Sequence, residues 1–193
     1  MQLIIISGPS GSGKTTLSKK ILKKLKNAIV INTDNYYNTG IISNILSKTI
    51  SNYFDRKISF NYKLFKKDLE FILNNGYSYY SCEYNFKNKS IKKNYKNTKK
   101  IRFIILEGIF VEEVLKLISS NNLILIRLKI NKKSCMKRVI KRDFIERGKN
   151  KKIAEKDFIK AWELFYKNER AKNTRTFSKE IILKNKRDIN SLI

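Results

Sequence analysis

Short, unbroken apolar runs alternate along this chain with stretches of helical periodicity. The first run is Leu3-Ile4-Ile5-Ile6. Its length and lack of polar interruptions predict a strand buried on both faces. A glycine-rich turn follows. Leu17, Ile21, Leu22 and Leu25 then recur at helical spacing, predicting a helix over 15–26. A second buried strand is predicted over 28–31. Strand, turn, helix and strand in this order make a βαβ unit, so the sheet is expected to be parallel.

Residues 41–76 are mainly helical in pattern, with Phe65, Leu69, Ile72 and Leu73 on one face and Gly76 as a C-cap. The aromatic stretch 77–86 reads as a strand or one arm of a hairpin. Residues 87–100 are almost entirely Lys, Asn, Ser and Thr, which predicts a mobile, solvated loop. Further strands are predicted over 102–106, 123–128 and 179–183. Helices are predicted over 111–118, 134–147 and 153–170. The expectation is one α/β domain over 1–193: a three-layer sandwich with a mostly parallel sheet of about five strands, a small hairpin or loop insert at 77–100 and a basic helix at 134–150.

The turn after the first strand carries specific chemistry. Gly8-Pro9-Ser10-Gly11-Ser12-Gly13-Lys14-Thr15, followed by Thr16, satisfies the phosphate-loop pattern G-x-x-x-x-G-K-[ST]. Glycines let the backbone wrap closely, so that successive N–H groups face phosphate oxygens. The helix start adds its positive dipole end. Lys14 carries a charge to the β- and γ-phosphates, and the Thr15 hydroxyl can bind Mg²⁺. A strand before and a helix after are the context this motif needs.

Ligands in parallel α/β sheets sit beyond the carboxyl ends of strands. Asp34 follows the second strand and Glu107 ends the third, while Asp55 lies between them in sequence. Transfer of a phosphoryl group to a hydroxyl needs a base that orients and deprotonates it. The chain has no histidine, so a carboxylate is the natural candidate. Asp34 is that candidate, with a helix N-cap or local turn as its competing role. Glu107 is the candidate Mg²⁺ acid, with loop orientation as the alternative. Lys137, Arg138, Lys141, Arg142 and Arg147 make the helix over 134–147 strongly basic. It is either a solvated face or a cover that neutralises migrating phosphate charge.

Formal net charge is +27, from 43 Lys and Arg against 16 Asp and Glu. Such an excess attracts polyanions, but the lysines are scattered and accompanied by many Asn and Ile, as a compositional bias would leave them. No nucleic-acid motif is recognisable, so no specific nucleic-acid partner is expected. Cys82 and Cys135 have no zinc spacing and are expected to be buried. No apolar segment reaches membrane-spanning length, and a cytoplasmic protein is expected.

The combination resembles the uridine kinase family, in the larger group that includes phosphoribulokinase. The resemblance is carried, in order, by Gly11-Ser12-Gly13-Lys14-Thr15-Thr16, Asp34-Asn35-Tyr36-Tyr37, Phe54-Asp55, Tyr84-Asn85-Phe86, Glu107-Gly108-Ile109 and Arg142-Asp143 with Glu146-Arg147-Gly148. It implies phosphorylation of the 5′-hydroxyl of uridine or cytidine by ATP or GTP with Mg²⁺. Asp34 would be the base and Asp55 would hold the ribose hydroxyls. Tyr84 would contact the nucleoside, and Arg142 and Arg147 would belong to a phosphate-binding lid, with Arg138 on the same helix a candidate substrate-binding residue. Lys89 stands where the family has a base-reading His. The motif Phe54-Asp55 continues with Arg56-Lys57-Ile58 rather than His-Pro-Asp. The expected partners are thus a nucleoside and a nucleotide, with a homo-oligomer left open. The rival readings are a kinase of the same group with another acceptor, a nucleotide binder without catalysis and a nucleic-acid binder.

Overall fold

The computed structural model describes residues 1–118, 122–170 and 179–184. Its main sheet has five strands, all pairing in parallel, in the order β2-β5-β1-β6-β7. These strands are β1 (Gln2–Ser7), β2 (Ala28–Asn32), β5 (Phe103–Glu107), β6 (Leu123–Leu128) and β7 (Lys179–Leu183). The hairpin strands β3 (Ser78–Asn85) and β4 (Ser90–Asn97) pair antiparallel and stand apart from the sheet. The α/β class and the parallel sheet expected from the apolar runs are both present.

The apolar runs are continuous because both faces of the sheet are covered. In β1, Leu3 and Ile5 point into one core with Ile104, Leu106, Leu123 and Leu125, while Ile4 and Ile6 point into the other with Ile105, Ile126 and Leu128. The first face is covered by α3 (Tyr62–Asn75), α4 (Val111–Val114) and the hairpin. The second is covered by α1 (Lys14–Lys24), α5 (Lys132–Arg147) and α6 (Lys151–Arg170), through Leu17, Cys135, Val139 and Phe158. Each fully buried Ile or Leu stabilises this arrangement by roughly 1.5–3 kcal/mol relative to exposure. The remaining helix, α2 (Gly40–Thr49), lies between β2 and α3 in sequence.

Two expectations change. Residues 87–100 do not form a loop: β4 occupies most of the segment. Ile91, Lys93 and Tyr95 lie opposite Tyr84, Cys82 and Tyr80, so an alternation of period two was present. The lysine at its middle position and the exposure of β4 masked it. Lysines on an unpaired edge also discourage further strand addition. The helix expected over 111–118 is one turn of α4 followed by a 3₁₀ turn, Leu115–Leu117. Among the described residues, no helix is long and apolar enough to cross a membrane. Both cysteines are free and buried.

Lys93 has a defined structural task. Its ammonium pairs with the buried carboxylate of Asp68 on α3, which also accepts from the Tyr36 hydroxyl at 3.4 Å and the Cys82 thiol at 3.5 Å. Burial pushes that thiol up to about 11, so it stays protonated and inert at neutral pH. This cluster ties the hairpin, α3 and the segment after β2 together. Replacing Lys93 by Met leaves the Asp68 charge uncompensated. Breaking a buried pair costs about 3–5 kcal/mol; Lys93 retains some contact with water, so about 3 kcal/mol is expected. Urea unfolding measures it, and adding Asp68→Asn is expected to recover most of the loss.

Candidate active site

The phosphate loop joins β1 to α1 and is held by close packing. A Cβ at Gly11 (φ 76°) would stand 2.5 Å from the Cys135 carbonyl oxygen and 2.9 Å from Val139. The loop thus lies directly on α5, and Arg138 of α5 donates to the Gly11 carbonyl at 3.0 Å. Gly8 abuts Leu128 at the end of β6. The Ser12 hydroxyl is buried within the loop, and Ser10 is partly exposed. Gly13 takes φ 100° as the N-cap of α1, which frees the first N–H groups of that helix to point outward. An open groove of about 270 Å³ runs along α1 past Thr15, Thr16, Lys19, Lys20 and Lys23.

Lys14 is buried, and its ammonium donates to the Gly8 and Pro9 carbonyls at 2.9 and 3.1 Å. Burial pulls its pKa below the usual lysine value, with Asp34 and Glu107 opposing the shift and Arg142 reinforcing it. All three named partners were picked out from the sequence, and the fold brings them to one spot. The mechanism is strand order. β5 lies between β1 and β2, so Glu107 pairs with Ile6 on one side and Asn32 on the other. Glu107 accepts from the Thr15 hydroxyl at 3.1 Å. Burial raises its pKa, Lys14 and Thr15 lower it, and Asp34 raises it further.

Asp34 accepts from the backbone N–H of Ile109 at 3.0 Å. The capping role proposed as its alternative belongs to Asn32, whose side chain accepts from the Asp34 N–H at 2.8 Å. A Cβ on Gly108 (φ 135°) would lie 2.0 Å from the Thr33 hydroxyl and 2.7 Å from the Asp34 carboxylate. Only glycine lets β5 and the Asp34 segment approach this closely.

Asp55 lies in a 3₁₀ turn, Tyr53–Asp55. Asn52, in a left-handed conformation (φ 53°), donates to the Asp55 carboxylate at 3.0 Å and to the Asp157 carbonyl of α6 at 3.0 Å. The preceding Phe54 packs edgewise with Tyr37, Tyr84 and Phe86. Tyr84 is buried in this cluster, with its hydroxyl donating to the Asn38 carbonyl at 3.3 Å, whereas Phe86 is exposed. The ring expected to contact the nucleoside thus packs edgewise against Phe54 and Phe86. Lys89 folds back from the hairpin turn, donating to the Phe86 carbonyl at 2.7 Å and standing 5.8 Å from the Phe54 ring centre.

On α5, Arg142 donates to its neighbour Asp143 at 2.8 and 3.0 Å. Asp143 is buried and within 3.9 Å of Lys149, which in turn pairs with Asp157 at 2.7 Å. Arg147 closes α5, but its side chain lies outside the described residues. Asn52, Thr33, Ala161 and Asn168 were not singled out from the sequence, whereas Phe165, with Trp162 and Tyr166, reads there as helix core rather than a ligand box. Nothing local marks the first four; Asn52 announces itself only by its left-handed backbone.

A family model described as "Phosphoribulokinase / Uridine kinase family" matches residues 3–168. Uridine kinase from Borrelia hermsii (strain HS1 / DAH) is 31% identical over 153 residues, covering 77% of this chain and 70% of that protein. Uridine kinase from Borrelia turicatae (strain 91E135) is 30% identical over the same length and coverage. Among solved structures, YFH7 from Saccharomyces cerevisiae aligns with a TM-score of 0.70 at 11% identity, covering 95% of this chain and 92% of that one. A Bacillus stearothermophilus protein named as a possible uridine kinase aligns with a TM-score of 0.56 at 14% identity, covering 93% and 88%. These structural likenesses concern the fold.

Glu107 offers a test of the electrostatics. Its raised pKa means the folded state favours the protonated acid. That contribution is complete below the ordinary carboxylate range and is lost as pH rises through the folded pKa. Glu107→Gln is therefore expected to melt higher than wild type at neutral pH, with the difference vanishing on acidification. Thermal melts across pH 4–8 measure it; a lower melting temperature at neutral pH would contradict the desolvated carboxylate.

Proposed function

This chain belongs to the Phosphoribulokinase / Uridine kinase family and is an ATP-dependent kinase, and on that premise we propose that it transfers the γ-phosphate of ATP or GTP to the 5′-hydroxyl of uridine or cytidine. The convergence of Asp34 and Glu107 on Lys14 carries this reading. It supplies a nucleotide-facing cation, an acid beside the Thr15 hydroxyl and a carboxylate at the edge of the phosphate loop.

In this reading the loop N–H groups and Lys14 hold the β- and γ-phosphates. Thr15 and Glu107 offer hard oxygen donors 3.1 Å apart, a donor set that suits Mg²⁺ and leaves its other positions to water and phosphate. When bound, that ion would neutralise charge on the phosphates. Asp34, fixed by the Ile109 N–H, orients the acceptor hydroxyl and takes its proton as oxygen attacks the γ-phosphorus. Arg142 and Arg147 offset charge on the migrating group. Asp55 binds the ribose hydroxyls, beside the Phe54 and Phe86 rings, with Tyr84 supporting them and Lys89 at their rim. Arg138 steadies the loop. The chain is read as one kinase domain, with a hairpin insert at 77–100, a lid at 134–150 and a cytoplasmic role in pyrimidine salvage.

A second reading keeps the chemistry and changes the acceptor to nicotinamide riboside, another nucleoside or pantothenate. Lys89 favours it, since an ammonium only donates, where an imidazole can also accept.

ADP release with Mg·ATP and each acceptor in turn tests both. Uridine or cytidine is expected to stimulate turnover above the acceptor-free rate; stimulation by another acceptor alone selects the second reading. Asp34→Asn is expected to cut kcat about 10²–10⁴-fold with ATP affinity unchanged, and undiminished turnover removes Asp34 as the base. Asp55→Ala is expected to raise the acceptor KM about 10–100-fold, the worth of a hydrogen bond to a charged group, without affecting the KM for ATP.

A further inference from the structure

The cleft between the phosphate loop and Asp55 has a wall that neither element supplies. Ser10, Asp55, Ile109, Ala161, Phe165 and Asn168 enclose it, and about 10 Å³ of free volume remains. That is room for about one water, whereas pockets for small ligands run to roughly 300–1,000 Å³. An acceptor that carries a ribose has to displace part of this lining to enter. β1 and β5 belong to the packed sheet and the loop between β1 and α1 lies against α5, which leaves α6 and the Asp55 turn as the walls that can yield.

The two halves of α6 are held differently. Toward its start, Ala154 and Phe158 are buried, the latter in the sheet core. The Asp157 carbonyl accepts from Asn52, and Lys160 donates to the Ser51 hydroxyl at 3.0 Å. This first half is pinned to the turn that carries Asp55. From Ala161 onward, the residues at i, i+4 and i+7 (Ala161, Phe165 and Asn168) make one stripe facing the cleft. None of these three is fully buried, and the tie of this half to the sheet core runs through Trp162 on another side of the helix.

We propose that the second half of α6 is the movable wall of the acceptor pocket, with Phe165 and Asn168 contacting the acceptor's ring and its polar edge. This rests on Asp55 binding the acceptor, as proposed above. Phe165 offers a flat apolar face of the kind that heterocycles stack on. Asn168 ends in an amide that both donates and accepts and can turn either way. It can therefore meet the carbonyl-and-N–H edge of uracil or the amino-and-nitrogen edge of cytosine, and the wild-type site is expected to take both. Asn52 is the joint, since one amide nitrogen holds both Asp55 and the fixed half of α6.

The chain's one tryptophan, Trp162, lies on α6 and packs against Phe158 and Tyr166 with ring centres 5.6 and 5.0 Å away. Its fluorescence reports the wall directly. In full-length protein, uridine is expected to change Trp162 emission over the same concentrations at which calorimetry detects binding. Asn168→Ala and Phe165→Ala are each expected to raise the acceptor KM about tenfold with the ATP KM unchanged. Asn168→Asp is the sharper variant: an ionised carboxylate only accepts, so the ratio of kcat/KM for cytidine over uridine is expected to rise at least about fivefold. A helix that merely packs would not reverse a base preference. If uridine binds and Asp55→Ala weakens it, while Trp162 is silent and the α6 variants stay within twofold of wild type, the wall is wrong and the proposed function stands. If Asp55→Ala is also without effect, or no nucleoside binds, the acceptor-site reading fails and takes this proposal with it.

Discussion

A buried ammonium in the field of two carboxylates governs this molecule's working end. Lys14 is out of water, and burial lowers its pKa. Asp34 and Glu107 oppose that shift, and burial in turn raises the pKa of Glu107, with Lys14 and Thr15 opposing the rise. Lys14 and Glu107 each oppose the shift that burial imposes on the other. An isolated buried charge would cost several kcal/mol. Such clusters of mutually perturbed groups are typical of functional clefts, and here the cluster sits at the carboxyl ends of adjacent parallel strands.

Much of the architecture follows from bringing those groups together. β5 must lie between β1 and β2 for Glu107 to reach Thr15 and for Asp34 to take the Ile109 N–H. Gly108 is needed because Thr33 and Asp34 press against it, and Gly11 because α5 does. The same contact carries the basic helix to the phosphate loop, where Arg138 holds the Gly11 carbonyl and Arg142 adds its field to Lys14. On the hairpin side, the Asp68 cluster fixes the hairpin and Tyr36, so the aromatic cluster of Tyr37, Phe54 and Tyr84 has a rigid base.

The sheet was legible because each of its strands is an apolar run between turn signals, and parallel strands buried on both faces leave that trace. Lys14, Thr15, Asp34 and Glu107 were legible because strand ends and a glycine loop are local features. β4 was missed because the residues opposite Tyr84, Cys82 and Tyr80 are Ile91, Lys93 and Tyr95, and a lysine whose partner is Asp68, 25 positions away, looks solvated in one dimension. Tyr84 was expected to face a ligand, yet the side from which it packs depends on Tyr37 and Phe54, which lie far from it in sequence. The cleft face of α6 is likewise a product of tertiary placement: Phe165 and Asn168 follow ordinary helical spacing, and only the meeting of α6 with the Asp55 turn gives them a site.

The most direct measurement is phosphorus NMR of the protein mixed with Mg·ATP and uridine. The expected result is loss of the γ-phosphorus resonance matched by growth of a phosphomonoester signal coupled to the ribose 5′ protons, with both absent in Asp34→Asn. Growth of inorganic phosphate alone, or phosphorylation at another hydroxyl, would contradict a centre in which Asp34 aims the 5′-hydroxyl at the phosphate held by Lys14.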